Sequence, residues 1–503
     1  MALDIRVSVS NKTGFLTELE AQARSKARSD SQSDETGRGK FCKVDLHTFL
    51  TASLIFSSFL VNFSVNGQCA PVYIQPEIQF QRMDGFGAAG VNGCAQEVYS
   101  QAEPRRTKLL NLLFGPDGAR INILRNEIWW TGKRLPFTHP LYLRGLIYYF
   151  GDEDNESAQY FLMREAQKRQ EMILNSCVWT PPPQWKTNNS FKDGGELLPS
   201  HYEDFADYLL GYLEFYKKIR NQDFQLISLQ NRPDKKQGGQ SCSWNGEQLR
   251  DFVKVVGSRL RQRGYPTKIM LPEVEWEQAG TYLQPILADP EARRMISYLG
   301  VHSSRKSSSD RMALNNVCKS ENFKLWQSEF AVPEGRNPGN IDDGLLLATQ
   351  MLEDLVQSDC HAWLYWALMT PLGSDEKKQG LLERTGTRLE PSKKFWCFTQ
   401  FSRFIPRDAV RIAVRGNTSP MIAFRNPEYN GMTLVMINST AGPITENLEM
   451  RGWTMERLLA YRTSEKEDCV QVPLPPESAS KQSMALEPKS VTTVVAQIRR
   501  LRQ

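Results

Sequence analysis

Leu226-Ile227-Ser228-Leu229-Gln230-Asn231-Arg232-Pro233-Asp234 reveals the architecture of this chain. It begins as a short apolar run without hydrophobic–polar alternation, the pattern of a strand covered on both faces. It ends in a cluster of polar and charged residues. Behind it, Gly246–Arg263 spaces its apolar residues three and four apart, as an amphipathic helix does. Lys268–Val274 then returns to a β-type run. The unit is strand, helix, strand.

On either side of this unit the same alternation repeats. β-type runs fall at Gly85–Gly90, Ile121–Glu127, Met172–Thr180, Phe224–Asn231, Lys268–Val274, Tyr298–Ser303, Phe323–Phe330 and Ala362–Met369. Helical spacing recurs at Tyr202–Ile219 and Asp342–Gln357. So many strand–helix alternations point to a (β/α)8 TIM barrel over residues 84–404. A doubly wound sheet rarely needs eight such units. After Pro406 the character changes. Val410–Val414, Met421–Phe424, Met432–Ile437, Arg457–Tyr461 and Val491–Ile498 are short β runs between Gly, Pro and Asn turns. Val72–Arg82 is also extended. The expectation is a β-sandwich side domain built from both chain ends, residues 71–83 and 405–503.

The N-terminal region divides further. Residues 1–43 are polar and mixed in charge and read as disordered. Residues 44–70 contain the apolar run Phe49–Val65, preceded by Arg38, Lys40 and Lys43. Positive charge on that side predicts translocation of the chain beyond the run. The run is long for a signal peptide and short for a spanning helix. A cleaved signal is the first reading, a type II membrane anchor through residues 49–65 the second, and a buried helix the third. The first two place the chain in the secretory pathway, either extracellular, in a cell wall, or lumenal.

Composition narrows the function classes. Of 503 residues, 40% are hydrophobic and 24% charged, ordinary for a globular protein. The net charge of +5 is mild, and no Lys/Arg block suggests nucleic-acid binding. Nine cysteines form no CxxC pair, and five histidines show no HExxH spacing, so no cofactor and no metal is expected. Asn155, Asn188 and Asn438 begin triplets that fit N-glycosylation. Gly85-Phe86-Gly87-Ala88-Ala89-Gly90 matches GxGxxG literally, but Val91-Asn92-Gly93-Cys94 is a poor helix start. A tight first barrel turn accounts for it better than a nucleotide site.

In a barrel the chemistry sits at the C-terminal ends of strands. Those ends carry Arg125 and Asn126, Trp179, Asn231 and Arg232, Glu273, His302, Glu329 and Trp366. A carboxylate such as Glu329, at the end of an apolar strand, has no structural use there.

Several ordered motifs resemble glycoside hydrolase family 30, within the clan of retaining (β/α)8 glycosidases. They are Asp84-Gly85-Phe86-Gly87, Val178-Trp179-Thr180-Pro181-Pro182-Pro183-Gln184-Trp185-Lys186, Gln230-Asn231-Arg232-Pro233, Cys242-Ser243-Trp244 and Leu325-Trp326-Gln327-Ser328-Glu329. The likeness covers about residues 72–500 and is nearest to endo-β-1,6-galactanase-like members. It implies a glycosidase acting on carbohydrate, a polysaccharide or glycoconjugate. Glu329 matches the nucleophile and Asn231 the residue that bonds the sugar 2-hydroxyl. Trp179, His302 and Trp366 match positions that line the cleavage subsite. Two departures stand out. Arg232 occupies the place of the acid/base Glu, and Val301-His302-Ser303-Ser304 lacks a Tyr often found there.

A retaining glycosidase must protonate the leaving oxygen and then deprotonate water. Arginine does neither. This leaves three readings: a hydrolase helped by Asp234, Glu273 or Glu275 or by the Arg232 charge itself; a pseudoenzyme that binds carbohydrate without turnover; and an interaction protein with a vestigial cleft.

Overall fold

The computed structural model describes residues 71–91, 93–128, 157–303, 308–333, 340–370, 379–426, 430–474 and 480–501. The apolar run 49–65, the segment 1–43 and Asn155 lie outside them. The described residues belong to one compact unit.

After a first strand, β1 (Pro71–Arg82), which belongs to the side domain, eight parallel strands close into a barrel. They are β2 (Gly85–Ala89), β3 (Ile123–Ile128), β4 (Ile173–Val178), β5 (Leu226–Ser228), β6 (Lys268–Glu275), β7 (Ile296–His302), β8 (Lys324–Glu329) and β9 (Ala362–Tyr365). Each overlaps one of the β-type runs read from the sequence. Around them lie helices α1 (Cys94–Ser100), α2 (Arg105–Phe114), α3 (Gln159–Gln167), α4 (Tyr202–Arg220), α5 (Gly246–Gln262), α6 (Trp276–Ala288), α7 (Ser308–Glu321), α8 (Ile341–Gln357) and α9 (Lys393–Ser402). The strands are buried on both faces. One apolar layer packs between strands and helices, and Ile123, Ile173, Leu226, Met270, Trp326 and Leu364 fill the interior. Trp326 donates from Nε1 to Asp84 at 2.9 Å, sealing the end of the barrel opposite the strand C-termini.

The Gly-x-Gly motif lies on β2 itself rather than in a turn. A Cβ on Gly87 would stand 2.7 Å from the Ile123 carbonyl and 2.8 Å from Leu364, so close strand packing requires the glycine. Gly85 has φ 144° beside the Asn122 side chain.

The side domain adds to β1 the strands β12 (Val410–Arg415), β13 (Met421–Asn426), β14 (Gly431–Asn438), β15 (Ile444–Glu449), β16 (Trp453–Thr463), β17 (Val470–Val472), β18 (Lys481–Leu486) and β19 (Ser490–Arg500). They form one continuous nine-stranded sheet in the order β17-β16-β19-β14-β13-β12-β1-β15-β18. A hairpin of β10 (Leu382–Thr385) and β11 (Arg388–Pro391) precedes α9. The sheet curls on itself: Asn438, ending β14, donates to the Leu486 carbonyl on edge strand β18 at 3.0 Å. Val72, Ile74, Leu434, Met436, Leu448 and Met484 share the enclosed core. β1 pairs antiparallel with β12 and parallel with β15, so the two chain ends build one domain. Asn438 is buried and its amide is used in the fold, so it is no acceptor for a glycan.

The two domains are fastened by α9. Thr493 donates to the Gln400 carbonyl at 2.8 Å, and Gln400 donates to Thr463 at 2.9 Å. This fixes the barrel from outside and leaves its mouth to the strand-end loops.

Candidate active site

The strand C-termini bring the expected residues together. Glu329 ends β8 and His302 ends β7, while Arg125 and Glu273 lie within β3 and β6. Trp179, Asn231 and Trp366 follow β4, β5 and β9. Arg125 binds them to one another. Its Nη1 donates to Glu329 Oε2 at 2.8 Å and its Nη2 to Asn231 Oδ1 at 2.8 Å. Nη2 also lies 3.5 Å from Glu273 Oε2, and the guanidinium stands 4.8 Å from the Trp179 ring centre. A fully buried guanidinium is tolerable only with such compensation, here two carboxylates and the Asn231 amide oxygen around its Nη atoms, while Nε has no hydrogen-bond partner among the described residues.

Glu273 is the second fixed charge. It is wholly buried and accepts from Ser228 and Ser328 at 2.5 Å each. His302 Nε2 lies 3.1 Å from its Oε2. Burial alone would raise the pKa of this carboxyl. The Arg125 charge and the His302 hydrogen bond outweigh it and hold the group at about 2. With Glu273 ionised, His302 Nε2 carries the hydrogen. The other ring nitrogen, Nδ1, then faces Glu329 Oε1 at 3.5 Å. Burial pushes the Cys177 thiol well up, so this neighbour, 3.4 Å from Arg125, is an uncharged thiol.

The geometry separates two groups of expected residues. Glu329, at 14% side-chain exposure, lies at the strand C-terminal end of the barrel with the partly exposed Trp366. The Trp179 and Trp366 rings stand 6.1 Å apart at 42°. Arg125 and Glu273, at 0% exposure, sit behind this surface in contact with Glu329, Asn231 and His302. Cys177, Ser228 and Ser328 complete the buried shell and were not anticipated. Their only sequence signal is their place on inward-facing strand positions, which many core residues share.

Arg232 follows β5 in a left-handed backbone conformation, φ 46°, and its N–H donates to the Glu273 carbonyl at 3.1 Å. Glu273 is left-handed too, at φ 61°. The Arg232 guanidinium pairs with Glu275, and Lys235 Nζ lies 3.7 Å from the same oxygen. Glu275 is in register with His302 on β7, and His302 with Glu329 on β8. Glu275, His302 and Glu329 thus form one row along the rim. Asp234 Oδ1 is buried without a hydrogen-bond partner among the described residues. Among the described residues no group of three or more His, Cys, Asp or Glu is placed to hold a metal ion.

A model of glycosyl hydrolase family 59 matches residues 83–383, the barrel. The chain belongs to glycosyl hydrolase family 59. Mouse lysosomal acid glucosylceramidase is 20% identical over 413 residues, covering 73% of this chain and 77% of the relative. Glucuronoxylanase XynC of Bacillus subtilis is 22% identical over 300 residues, 58% of this chain and 66% of the relative. Among solved structures, the family 30 subfamily 8 xylanase Xyn30A from Clostridium acetobutylicum superposes with a TM-score of 0.69 at 23% identity, over 85% of this chain and 99% of that one. The barrel with its appended sheet is therefore the family 30 architecture, as the motifs implied, and the relatives of this family 59 chain are glycosidases.

Proposed function

We propose that this family 59 chain hydrolyses O-glycosidic bonds of a β-linked polysaccharide or glycoconjugate by a retaining mechanism, with Glu329 as the nucleophile. The observation that carries the reading is the Glu329 carboxylate at the barrel mouth, oriented by Arg125 through Oε2 and faced by His302 at Oε1. Asn231 spends its Oδ1 on Arg125, which turns its amide nitrogen toward a donor role for a sugar hydroxyl. The partly exposed Trp366 offers an apolar ring face of the kind that packs on sugar rings, with the buried Trp179 beside it. Relatives named for glucosylceramide and glucuronoxylan support a substrate in the polysaccharide or glycoconjugate class. Endo-β-1,6-galactanase-like action follows from the motif resemblance. In this reading residues 44–70 deliver the cleft to the secretory pathway. N-terminal sequencing of protein recovered from a secreting host tests that: an intact residue 44 in soluble extracellular protein contradicts both signal and anchor.

A second reading is favoured by one observation. Arg232, which the motif resemblance aligns with the acid/base residue, is held in an ion pair with Glu275, and loss of a general acid typically costs ~10²–10⁴ in rate. A carbohydrate-binding pseudoenzyme results if nothing replaces that function. One experiment separates the two. The protein is incubated with β-1,6-galactan, glucuronoxylan and 2,4-dinitrophenyl β-glycosides, and a 2-fluoro glycoside is used to trap the glycosyl-enzyme for peptide mapping. A trapped sugar on Glu329, with turnover lost in Glu329→Gln, is the expected result. Turnover that survives Glu329→Gln refutes the assignment. Oligosaccharide binding without turnover or trapping favours the second reading.

A further inference from the structure

Arg232 and Glu275 are charged groups on the rim of a barrel whose nucleophile candidate lies elsewhere on the same rim. The closed barrel runs from β2 to β9; Arg232 follows β5 and Glu329 ends β8, three steps away around the ring. Along the row Glu275–His302–Glu329, two steps of ~4.8 Å put the outer backbones roughly 10 Å apart, enough for a sugar ring between the side chains. Arg232 is held firmly in place. Its left-handed backbone is rare for a residue with a side chain and persists only where the surroundings over-determine it. The Glu273 carbonyl supplies that constraint. Glu275 takes Nη2 alone, and the Arg232 side chain keeps 17% exposure at the rim. Guanidinium donors therefore remain for a further acceptor.

We infer that the site is built to release an oxyanion: its substrate is a sugar whose anomeric oxygen belongs to a carboxylic or phosphoric acid, and Arg232 holds that group as it departs. The inference rests on Glu329 as nucleophile. A Glu329 oxygen forms a bond to the anomeric carbon, and the bond from that carbon to the acid oxygen breaks. Its electron pair goes to the acid, which leaves as a carboxylate or phosphate needing no proton. Arginine suits it, because a guanidinium binds either anion in a two-point geometry. In the second step water bonds to the anomeric carbon and Glu329 takes back its electron pair. The water proton passes to Glu275, which stands on the rim as an acceptor, and then to solvent. Such a site has no use for a general acid, which accounts for Arg232 without calling the cleft vestigial.

The test compares benzoyl, phosphate, methyl and 2,4-dinitrophenyl β-glycosides of galactose, glucose and xylose in wild type, Arg232→Gln and Arg232→Lys. Reactions are run in ¹⁸O-water to locate the broken bond, and thermal unfolding checks that each variant is folded. The expected result is kcat/KM on a benzoyl or phosphate glycoside at least ~10²-fold above the methyl glycoside of the same sugar, with label on the anomeric carbon. Arg232→Gln then loses ~10²-fold on that substrate and Arg232→Lys retains part of it. The benzoyl and phosphate arms decide which acid is preferred. Equal cleavage of methyl glycosides, a preference that survives in Arg232→Gln, or label in the released acid overturns the inference. So does turnover of dinitrophenyl glycosides alone, which leaves Glu329 as nucleophile intact. No turnover of any substrate, with no trapping at Glu329, removes the underlying reading as well.

Discussion

At Glu273 a carboxylate without solvent contact keeps its charge, because Arg125, His302 and two serine hydroxyls replace water around it. Its folded pKa, about 2, lies below its ordinary value of 4.5. The unfolded chain therefore binds the proton more readily than the folded one. The stabilisation is complete above pH 4.5 and is lost as the pH falls toward 2. Glu273→Gln leaves Arg125 with one carboxylate instead of two. A destabilisation of ~3–5 kcal/mol at neutral pH is expected, together with a flatter loss of stability between pH 4.5 and 2. Denaturant unfolding across that range measures both; a variant with the wild-type acid profile would show that Glu273 is not the charge responsible. From the sequence, Glu273 and Glu329 are two acids at strand ends. Burial distinguishes them, and burial depends on neighbouring strands that no local pattern reveals.

Among the elements, α5 shows how local chemistry fixes a boundary. Asn245 accepts from the Gln248 N–H at 2.8 Å, and Gln248 accepts from the Asn245 N–H at 2.8 Å, a reciprocal cap. Asn245→Ala is expected to cost ~1 kcal/mol, read as a shift in the urea midpoint with unchanged slope. At β2 the constraint is steric. Gly87→Ala drives a methyl into the Ile123 backbone and is expected to cost roughly 1–3 kcal/mol, with no effect on any nucleotide affinity. A stability equal to wild type would mean that β2 and β3 can separate. Several barrel strands were legible because burial on both faces removes the hydrophobic–polar alternation and leaves short apolar runs. β15 and β18 were not, since each faces the core with alternate residues only. In β18 those are Gln482, Met484 and Leu486, between exposed Lys481, Ser483 and Ala485. Such a segment reads as loop until its partners are known.

For the whole molecule, β1 is the link that makes two domains one folding unit. It lies between β12 and β15 and contributes Val72 and Ile74 to the side-domain core. Removal of residues 1–83 leaves two strand edges open and a hole in that core. Aggregation or failure to fold is expected, whereas removal of residues 1–70 preserves the cooperative transition. Soluble yield and thermal unfolding of the two truncations test this. The seven described cysteines are all buried and free of disulfides, and burial raises their thiol pKa values. They are expected to react with a thiol reagent only on unfolding, so reaction of any of them in the native protein, seen by peptide mapping, contradicts that packing.

Hydrophobic period and chain order are local properties, and they were enough to establish the barrel, the two-ended side domain and the ring of strand-end residues. The motif resemblance exposed Arg232, because a guanidinium in the place of the family's acid/base Glu needs no coordinates to be noticed. Three relations came only with the folded chain: Arg125 joins Glu329 to Asn231, Glu273 lies beneath the cleft, and Glu275 is the partner of Arg232. Arg125 is 204 residues from Glu329 and 106 from Asn231 along the chain, and Arg232 is 43 from Glu275. Arg232 meets Glu275 across the adjacent strands β5 and β6, but Arg125 on β3 meets Glu329 on β8 only when the barrel closes, and it is closure that turns a row of strand ends into a site.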